Sequence, residues 1–530
     1  MAVTVVLPSP LALANEAEGD SPIPPGSEIA GVVIVRENIF DLSKEGENTW
    51  LYRWMNRLHI VTRPETIRSQ LLFGEGDAFD GRVLEESERI LRSNDYLYDA
   101  SIEPVLNPDG TVDVDVRTKD VWTLLPEFSF SREGGENEVL FGLEEDNLLG
   151  RGQHLQVVWA DDIDRTSTIL NFSDRQIGSS WVAVNLGLAD SSDGHTVNLN
   201  VVKPFHALDS RRAGGASVYS TDRRDTLYEL GNEAAEYRHE REFLRAFKGW
   251  SSGLRNGWVR RWTAGMVYDE NRFSEAKEPE LPQVIPEDRK LVYPFLGVDL
   301  LEDRYEKSSN HNQIDRAEDF YLGTRLGMMI GWSDSVLGAD RDALIYAFSG
   351  NYSLGSMDSR ALLLAGHATG RIEDGETANG IFRFSADYYK RQSEKRLFFA
   401  HLNGTIGHDL DIDNPVEIGG DTGLRGFPIR YQSGDSSLTF SVEQRYYTDW
   451  YPWRLFRVGG AVFFDAGRAW GRNPIDAEQL GWISNVGFGL RLAPTRFGTT
   501  KVIHVDVAFP LDPSDEIDSV QVLLEAKRSF

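Results

Sequence analysis

The sequence predicts an antiparallel all-β transmembrane barrel over residues 124–530, preceded by a small α+β domain over residues 29–121. Three observations lead there. From Leu124 onward, apolar residues alternate with polar or small ones in segment after segment. A two-residue period of this kind puts one face of each strand on lipid and the other on a polar lumen. Residues 29–121 instead mix strand and helix periods. Finally, no run of about 18 consecutive apolar residues occurs, which removes a transmembrane helix but leaves strands of about 10 residues free to cross.

Composition narrows the function classes. The chain has 530 residues, enough for more than one domain, and a net charge of -28 from 83 acidic and 55 basic residues. Nucleic-acid phosphates require a basic face, so a nucleic-acid partner is not expected. With no cysteine, a disulfide scaffold and a zinc-thiolate site are both excluded. Mean hydropathy is -0.37 despite 13 Trp, 18 Tyr and 27 Phe.

Taken in order, residues 1–14 end in Val-Val-Leu-Pro-Ser-Pro-Leu-Ala-Leu-Ala and read as the remnant of a signal peptide, with Ala12-x-Ala14 as cleavage site. No Lys or Arg precedes Arg36, so an apolar tail is the alternative. Residues 15–28 read as a flexible linker. Ile29 to Val35 is a β-branched run suited to a strand. Thr62-x-x-Glu65 is a capping-box signature before Ile67, Leu71 and Leu72. A second helix is expected from Gly81 to Ser93, with Val83, Leu84, Ser87, Ile90 and Leu91 on one side. Strands at about 97–106 and 111–119 flank the turn Asn107-Pro108-Asp109-Gly110. The order is β-α-α-β-β.

In the barrel segment, Phe382, Phe384, Ala386 and Tyr388 alternate with Arg383, Ser385 and Asp387. Val486, Phe488, Leu490 and Leu492 alternate with Asn485, Gly487, Gly489 and Arg491. A soluble β-sandwich also alternates, but seldom through so many strands of one domain. At roughly 20–25 residues per strand and connection, 16 to 20 strands fit. Glu278–Lys290, with Pro279, Pro282 and Pro286, reads as an extracellular loop.

Five motifs point further. Asn147-Leu148-Leu149-Gly150-Arg151-Gly152 opens the barrel segment and reads equally as a glycine-rich turn. Gly419-Gly420-Asp421-Thr422-Gly423-Leu424-Arg425-Gly426-Phe427 is followed by Glu443-x-Arg445 and Phe464-Asp465-Ala466-Gly467. Alternation places Glu443, Arg445 and Asp465 on inward faces. The last strand carries Val520, Val522, Leu524 and Ala526 on one face and ends on the aromatic Phe530.

In their order and approximate spacing these motifs resemble the BamA/TamA family of outer-membrane assembly and translocation proteins, barrels of the bacterial surface antigen type. Residues 29–121 look like one POTRA domain, the family's periplasmic module, with Phe79-Asp80, Leu84 to Leu91 and Tyr96 to Ala100 matching its pattern. The resemblance implies 16 strands and a loop that folds back into the lumen with Leu424, Arg425, Gly426 and Phe427. It implies Glu443 and Asp465 as ion-pair partners of Arg425, Asp465 the closer, and Phe530 as the signal read by the barrel assembly machinery. A wet lumen is expected to screen those pairs. Relatives that insert proteins usually carry several POTRA domains, and this chain has room for one.

No His-Glu-x-x-His, Gly-x-Ser-x-Gly, P-loop or dinucleotide fingerprint occurs. His504 and Asp506 share the inward face of one strand, and a lone histidine there reads as a hydrated wall residue. No enzymatic activity, metal or cofactor is expected. An assembly or translocation factor accounts for both segments: an outer-membrane protein whose periplasmic domain takes an unfolded protein or lipid client while the barrel contacts outer-membrane lipid. A diffusion porin or lipid-handling barrel is the alternative, and a barrel-borne enzyme would lack its site.

Overall fold

Two sheets of unequal size organise the chain. The computed structural model describes residues 23–527, apart from residues 45, 134, 135, 278, 498–501 and 512–516. The signal-peptide remnant, residues 15–22 of the expected linker and Phe530 lie outside the described residues.

The smaller sheet belongs to the N-terminal domain. Its elements are β1 (Ile29–Glu37), α1 (Trp50–Leu58), α2 (Pro64–Arg68), α3 (Gly81–Arg92), β2 (Leu97–Leu106) and β3 (Val112–Asp120). The sheet order is β1-β3-β2, with β1 parallel and β2 antiparallel to β3. Val112, Val114 and Val116 of β3 alternate inward beneath Leu84 and Leu91 of α3, and Ile29, Ile67 and Leu97 complete the core. Asp80 caps α3, its side chain accepting from Arg82 N at 3.0 Å.

Three expectations change here. Residues 23–28 belong to the domain, since Ile23 enters the core and Gly26 N donates to Phe79 O at 3.0 Å. Helix α1 is additional, started by Thr49, whose hydroxyl accepts from Tyr52 N at 3.3 Å. The Thr62–Glu65 capping box does not form: Arg63 is the N-cap of α2, without a side-chain bond. The Thr62 hydroxyl donates to Asp120 Oδ2 at 2.9 Å and accepts from Asn147 Nδ2 at 2.9 Å. A tertiary partner outcompetes the local cap.

The larger sheet is one closed antiparallel barrel of 20 strands, from Leu124–Glu133 to Gln521–Lys527. The last strand closes on the first, with Leu524 opposite Arg132. The expected 16 strands are therefore corrected to 20. The first six strands, each of 9 or 10 residues, share only the 80 residues 124–203. Tight hairpin turns shorten the repeat far below the assumed 20–25 residues.

Strand length is uneven. Asn232–Arg255 has 24 residues, roughly 75 Å of chain, whereas a strand crosses a bilayer with about 10. Apolar side chains point outward, as at Phe141, Leu326, Phe488 and Val522, all exposed, while Asn485 and Asp506 point inward and are buried. Val458 shares the parity of outward Val462 and Phe464 but is buried, at the point where the chain from Thr448 to Trp450 bonds to its backbone.

The domain is docked on one mouth of the barrel, called here the domain end. Arg82 Nη2 pairs with Asp209 Oδ2 at 2.6 Å, Arg92 Nη2 with Asp319 Oδ1 at 2.6 Å, and Arg496 Nη2 with Glu47 Oε1 at 2.8 Å. The Asn147–Gly152 motif forms the junction. A Cβ on Gly150 (φ +75°) would meet Val61 O at 2.9 Å, and one on Gly152 (φ +67°) the Tyr96 ring at 2.9 Å. Glycine lets the domain seat this closely.

Candidate functional site

Two inserts meet inside the lumen. The first is the far-end connection between strands Arg396–His408 and Ser436–Tyr447, which dives inward. It is held by a short ladder, Val416–Ile418 against Gln432–Gly434, and by a 3-10 turn at Gly420–Thr422 that ends on Gly423 at φ +98°. Leu424 and Phe427 are fully buried and pack with Ile418, Tyr431, Ala469 and Ile483. These apolar contacts fix the backbone on either side of Arg425. Gly426 is required by space, since a Cβ there would stand 2.7 Å from the Cβ of Asn485.

The Arg425 guanidinium is thereby delivered onto the barrel wall. Its Nε and Nη2 donate to Asp465 Oδ2 and Oδ1 at 2.9 and 2.7 Å, a bidentate fork. Its Nη1 reaches Glu443 Oε1 at 2.8 Å and lies 3.6 Å from Asp506 Oδ2. The guanidinium carbon sits 3.4 Å from the centre of the Phe463 ring. Asp465 also accepts from Ser441 Oγ at 2.7 Å and Asn485 Nδ2 at 2.8 Å. Asp465 is the fully forked partner and Glu443 the single-bonded one.

The cluster extends beyond Arg425, Glu443 and Asp465. Arg445 Nε donates to Glu443 Oε2 at 2.9 Å, and Arg491 pairs with Asp506. Arg425, Arg445 and Arg491 thus balance Glu443, Asp465 and Asp506 charge for charge. All six are at most 6 % exposed, so the expected screening by a wet lumen does not apply at this depth. Asp506, placed on the inward face by the alternation, is an integral member. Its partner was legible in principle, because Arg491 shares the inward parity of the adjacent strand.

The second insert enters from the domain end. Between strands Arg289–Glu302 and Arg325–Ser333, residues 303–324 form a hairpin, Tyr305–Ser309 paired with Ala317–Tyr321, that is separate from the barrel wall. Its buried tip, His311, offers its carbonyl to Arg445 Nη1 at 2.9 Å and Tyr447 Oη at 3.0 Å. Ile314, Phe320 and Leu322 pack on Met357, Tyr389 and Tyr447 of the wall. The domain grips the connecting loop of the same hairpin: Tyr98 Oη donates to Asp315 O at 3.1 Å and Arg316 Nη2 to Leu97 O at 3.0 Å. A continuous chain of contacts therefore runs from α3 and β2 through the hairpin to Arg445, Glu443 and Arg425.

Two titratable groups sit in this hairpin. Burial pushes the Glu318 carboxyl up to about 7, against the pull of the His311 and Asn312 N–H groups. Burial likewise lowers the His311 imidazole to about 4, with Nε2 donating to Met357 O at 2.9 Å. On release both would return toward their ordinary values, 4.5 and 6.5. Glu318 would then lose its proton, weakening the seat as pH rises from about 4.5 to 7. His311 would gain one, weakening the seat as pH falls from 6.5 to about 4. The two slopes oppose each other over the shared window. Glu318→Gln should unmask the histidine, giving a hairpin that tightens steadily as pH rises toward 6.5. Closed-state dwell times in planar bilayers would report it, and an unchanged pH profile would contradict this assignment.

Among the described residues, Glu144, Asp146 and His154 form the one group with metal-compatible spacing. His154 Nδ1 is 2.8 Å from Asp146 Oδ1, an ordinary hydrogen-bonded pair.

The fold and site together define a closed membrane-type barrel with an arginine-locked lumen and a domain seated on one mouth. No family model and no curated protein matches the chain. Among solved structures it is similar to BamA from Haemophilus ducreyi lacking POTRA domains 1–3, at 14% identity and a TM-score of 0.39, over 93% of this chain and 84% of that one. It is also similar to CdiB from Acinetobacter baumannii, at 13% identity and a TM-score of 0.43, over 94% and 73%. For CdiB from Escherichia coli the values are 12%, 0.44, 98% and 93%.

Proposed function

We propose that this chain is an outer-membrane assembly or translocation factor of the BamA/TamA type, with its N-terminal domain in the periplasm receiving a client that the barrel inserts or passes. The observation that carries the reading is the double occupation of the lumen. A diffusion porin keeps an aqueous channel, whereas here one insert enters from each mouth and the two join at Arg445 and Glu443. The reading is non-catalytic, since each inward carboxylate of the cluster is held by an arginine.

Client contact is assigned to the edge of β1. The other edge strand, β2, is capped by side chains at Ala100 O, from Arg92, and at Ile102 N, from Glu88. On β1, Ile29 is bonded to the loop at Gly76 and Asp77 and Arg68 reaches Val32 O, while Val33 and Val35 are exposed apolar residues, and an exposed apolar edge is what strand addition uses. A photo-crosslinking residue at Val33 or Val35 should trap unfolded polypeptide in cells. Deleting residues 29–121 should leave a barrel in the outer-membrane fraction without assembly or transport activity. Full activity of that deletion would defeat the reading.

A further inference from the structure

Helix α1 presents two different faces. The inner one is fixed: Tyr52 stacks on Phe40 with ring centroids 4.1 Å apart and donates from Oη to Trp453 O at 2.6 Å. Asn56 brackets Phe40 from both sides, accepting from its N–H at 3.1 Å and donating to its carbonyl at 2.8 Å. The outer one carries Trp50, Leu51, Trp54 and Leu58, exposed by 73, 39, 53 and 52 %. Spacings of one, four and eight residues place all four within a 100° arc. So wide an exposed apolar stripe on a nine-residue helix marks an interaction surface.

Its surroundings identify the occupant. The helix is bonded through Tyr52 to the turn that enters strand Phe456–Trp470, and Glu47, three residues ahead of the helix, faces Arg454 of that turn at 3.8 Å and Arg496 at 2.8 Å. On that turn Trp450 and Trp453 are exposed by 63 and 75 %. Further along the same strand the outward residues are Val462 and Phe464, both exposed. The indoles of the helix, the indoles of the turn and the lipid-facing stripe of the barrel therefore belong to neighbouring pieces of one surface. Tryptophan is the side chain favoured where hydrocarbon meets headgroups. Charge agrees: Trp50–Leu58 holds Arg53 and Arg57 and no acid, in a chain of net charge -28. Apolar and indole residues on one face with arginines at its margin are the composition of a helix lying in a bilayer interface.

We propose that α1 is an interfacial anchor that beds the N-terminal domain in the leaflet facing it, its occupant being phospholipid at the headgroup–acyl boundary. This rests on the reading of the barrel as membrane-embedded. The anchor fixes the angle at which the β1 edge meets the barrel mouth, because α1 and β1 share one small domain.

The absence of native cysteine allows single-site labelling. The full chain would be folded into phosphatidylethanolamine/phosphatidylglycerol vesicles carrying one environment-sensitive fluorophore at Leu58→Cys, Val462→Cys or Pro108→Cys. Pro108 lies in the turn between β2 and β3, at the end of that hairpin away from the barrel. A shallow nitroxide lipid should quench the Leu58 label several-fold more than the Pro108 label, and Trp50→Gln/Trp54→Gln should remove that quenching without altering Val462. A quenched Val462 label beside an unquenched, iodide-accessible Leu58 label would overturn the anchor and leave the barrel intact. A Leu58 label shielded from both quenchers would mean that protein covers the helix, which also overturns the proposal. An unquenched Val462 label would defeat the membrane reading, and the anchor with it.

Discussion

Arg425→Ala should abolish assembly or transport while a barrel still reaches the membrane. The substitution strands Asp465 and Glu443, each buried, with fewer cations than carboxylates. Breaking a buried ion pair costs roughly 3–5 kcal/mol because the abandoned charge stays desolvated. The loss should be visible as a lower denaturant midpoint of the folded barrel and as protease sensitivity of residues 409–435. Arg425→Lys keeps the charge but has no planar fork, so it can satisfy one carboxylate and not the bidentate geometry at Asp465. It should recover only part of the loss. Among the partners, Asp465→Asn should cost more than Glu443→Gln, since Asp465 takes donors from Arg425, Ser441 and Asn485. Equal behaviour of Arg425→Ala and the parent chain in midpoint and activity would remove the lock from the mechanism.

Replacing residues 303–324 by a short turn should give the largest electrical effect. The hairpin fills the domain-end mouth and contributes Ile314, Phe320 and Leu322 to the apolar seal. A 20-stranded wall without it encloses enough width for an aqueous channel, as barrels of 16–18 strands already do. In planar bilayers the parent chain should be mostly closed and the deletion should conduct persistently. The deletion also removes Asp319 and Asp315, partners of Arg92 and Tyr98, so the N-terminal domain should become easier to cleave from the barrel. Combining the deletion with Arg425→Ala should increase conductance again, because the two inserts block from opposite ends. A deletion as silent as the parent would show that something other than the hairpin closes the lumen.

The barrel was legible because lipid outside and polar groups inside impose a period of two that no turn chemistry can hide. The same parity placed Glu443 and Asp465 inward, where both meet Arg425. Strand number was less legible, because turn lengths are set by local backbone geometry that alternation does not encode. The six short strands of residues 124–203 account for the difference. Helix α1 escaped notice since its apolar face is exposed, and a search for core-facing periodicity passes over it. Thr62 misled because its hydroxyl is taken by Asp120 and Asn147, residues distant in sequence. The link from Arg445 to His311 spans 134 residues and left no local trace.

Every wall residue of the arginine cluster comes from four consecutive strands, Ser436–Tyr447 to Val502–Pro510, and Arg425 arrives on the connection immediately before them. The first six strands supply none of it. The barrel is thus mechanically two-part: a stapled arc near the C-terminus whose members cannot separate without exposing bare charge, and an N-terminal arc where scattered pairs such as Arg165–Asp193 and Gln156–Asn171 supplement the backbone ladders. Any widening of the ring will be borne by the second arc, which carries the Asn147–Gly152 turn beneath which the N-terminal domain sits.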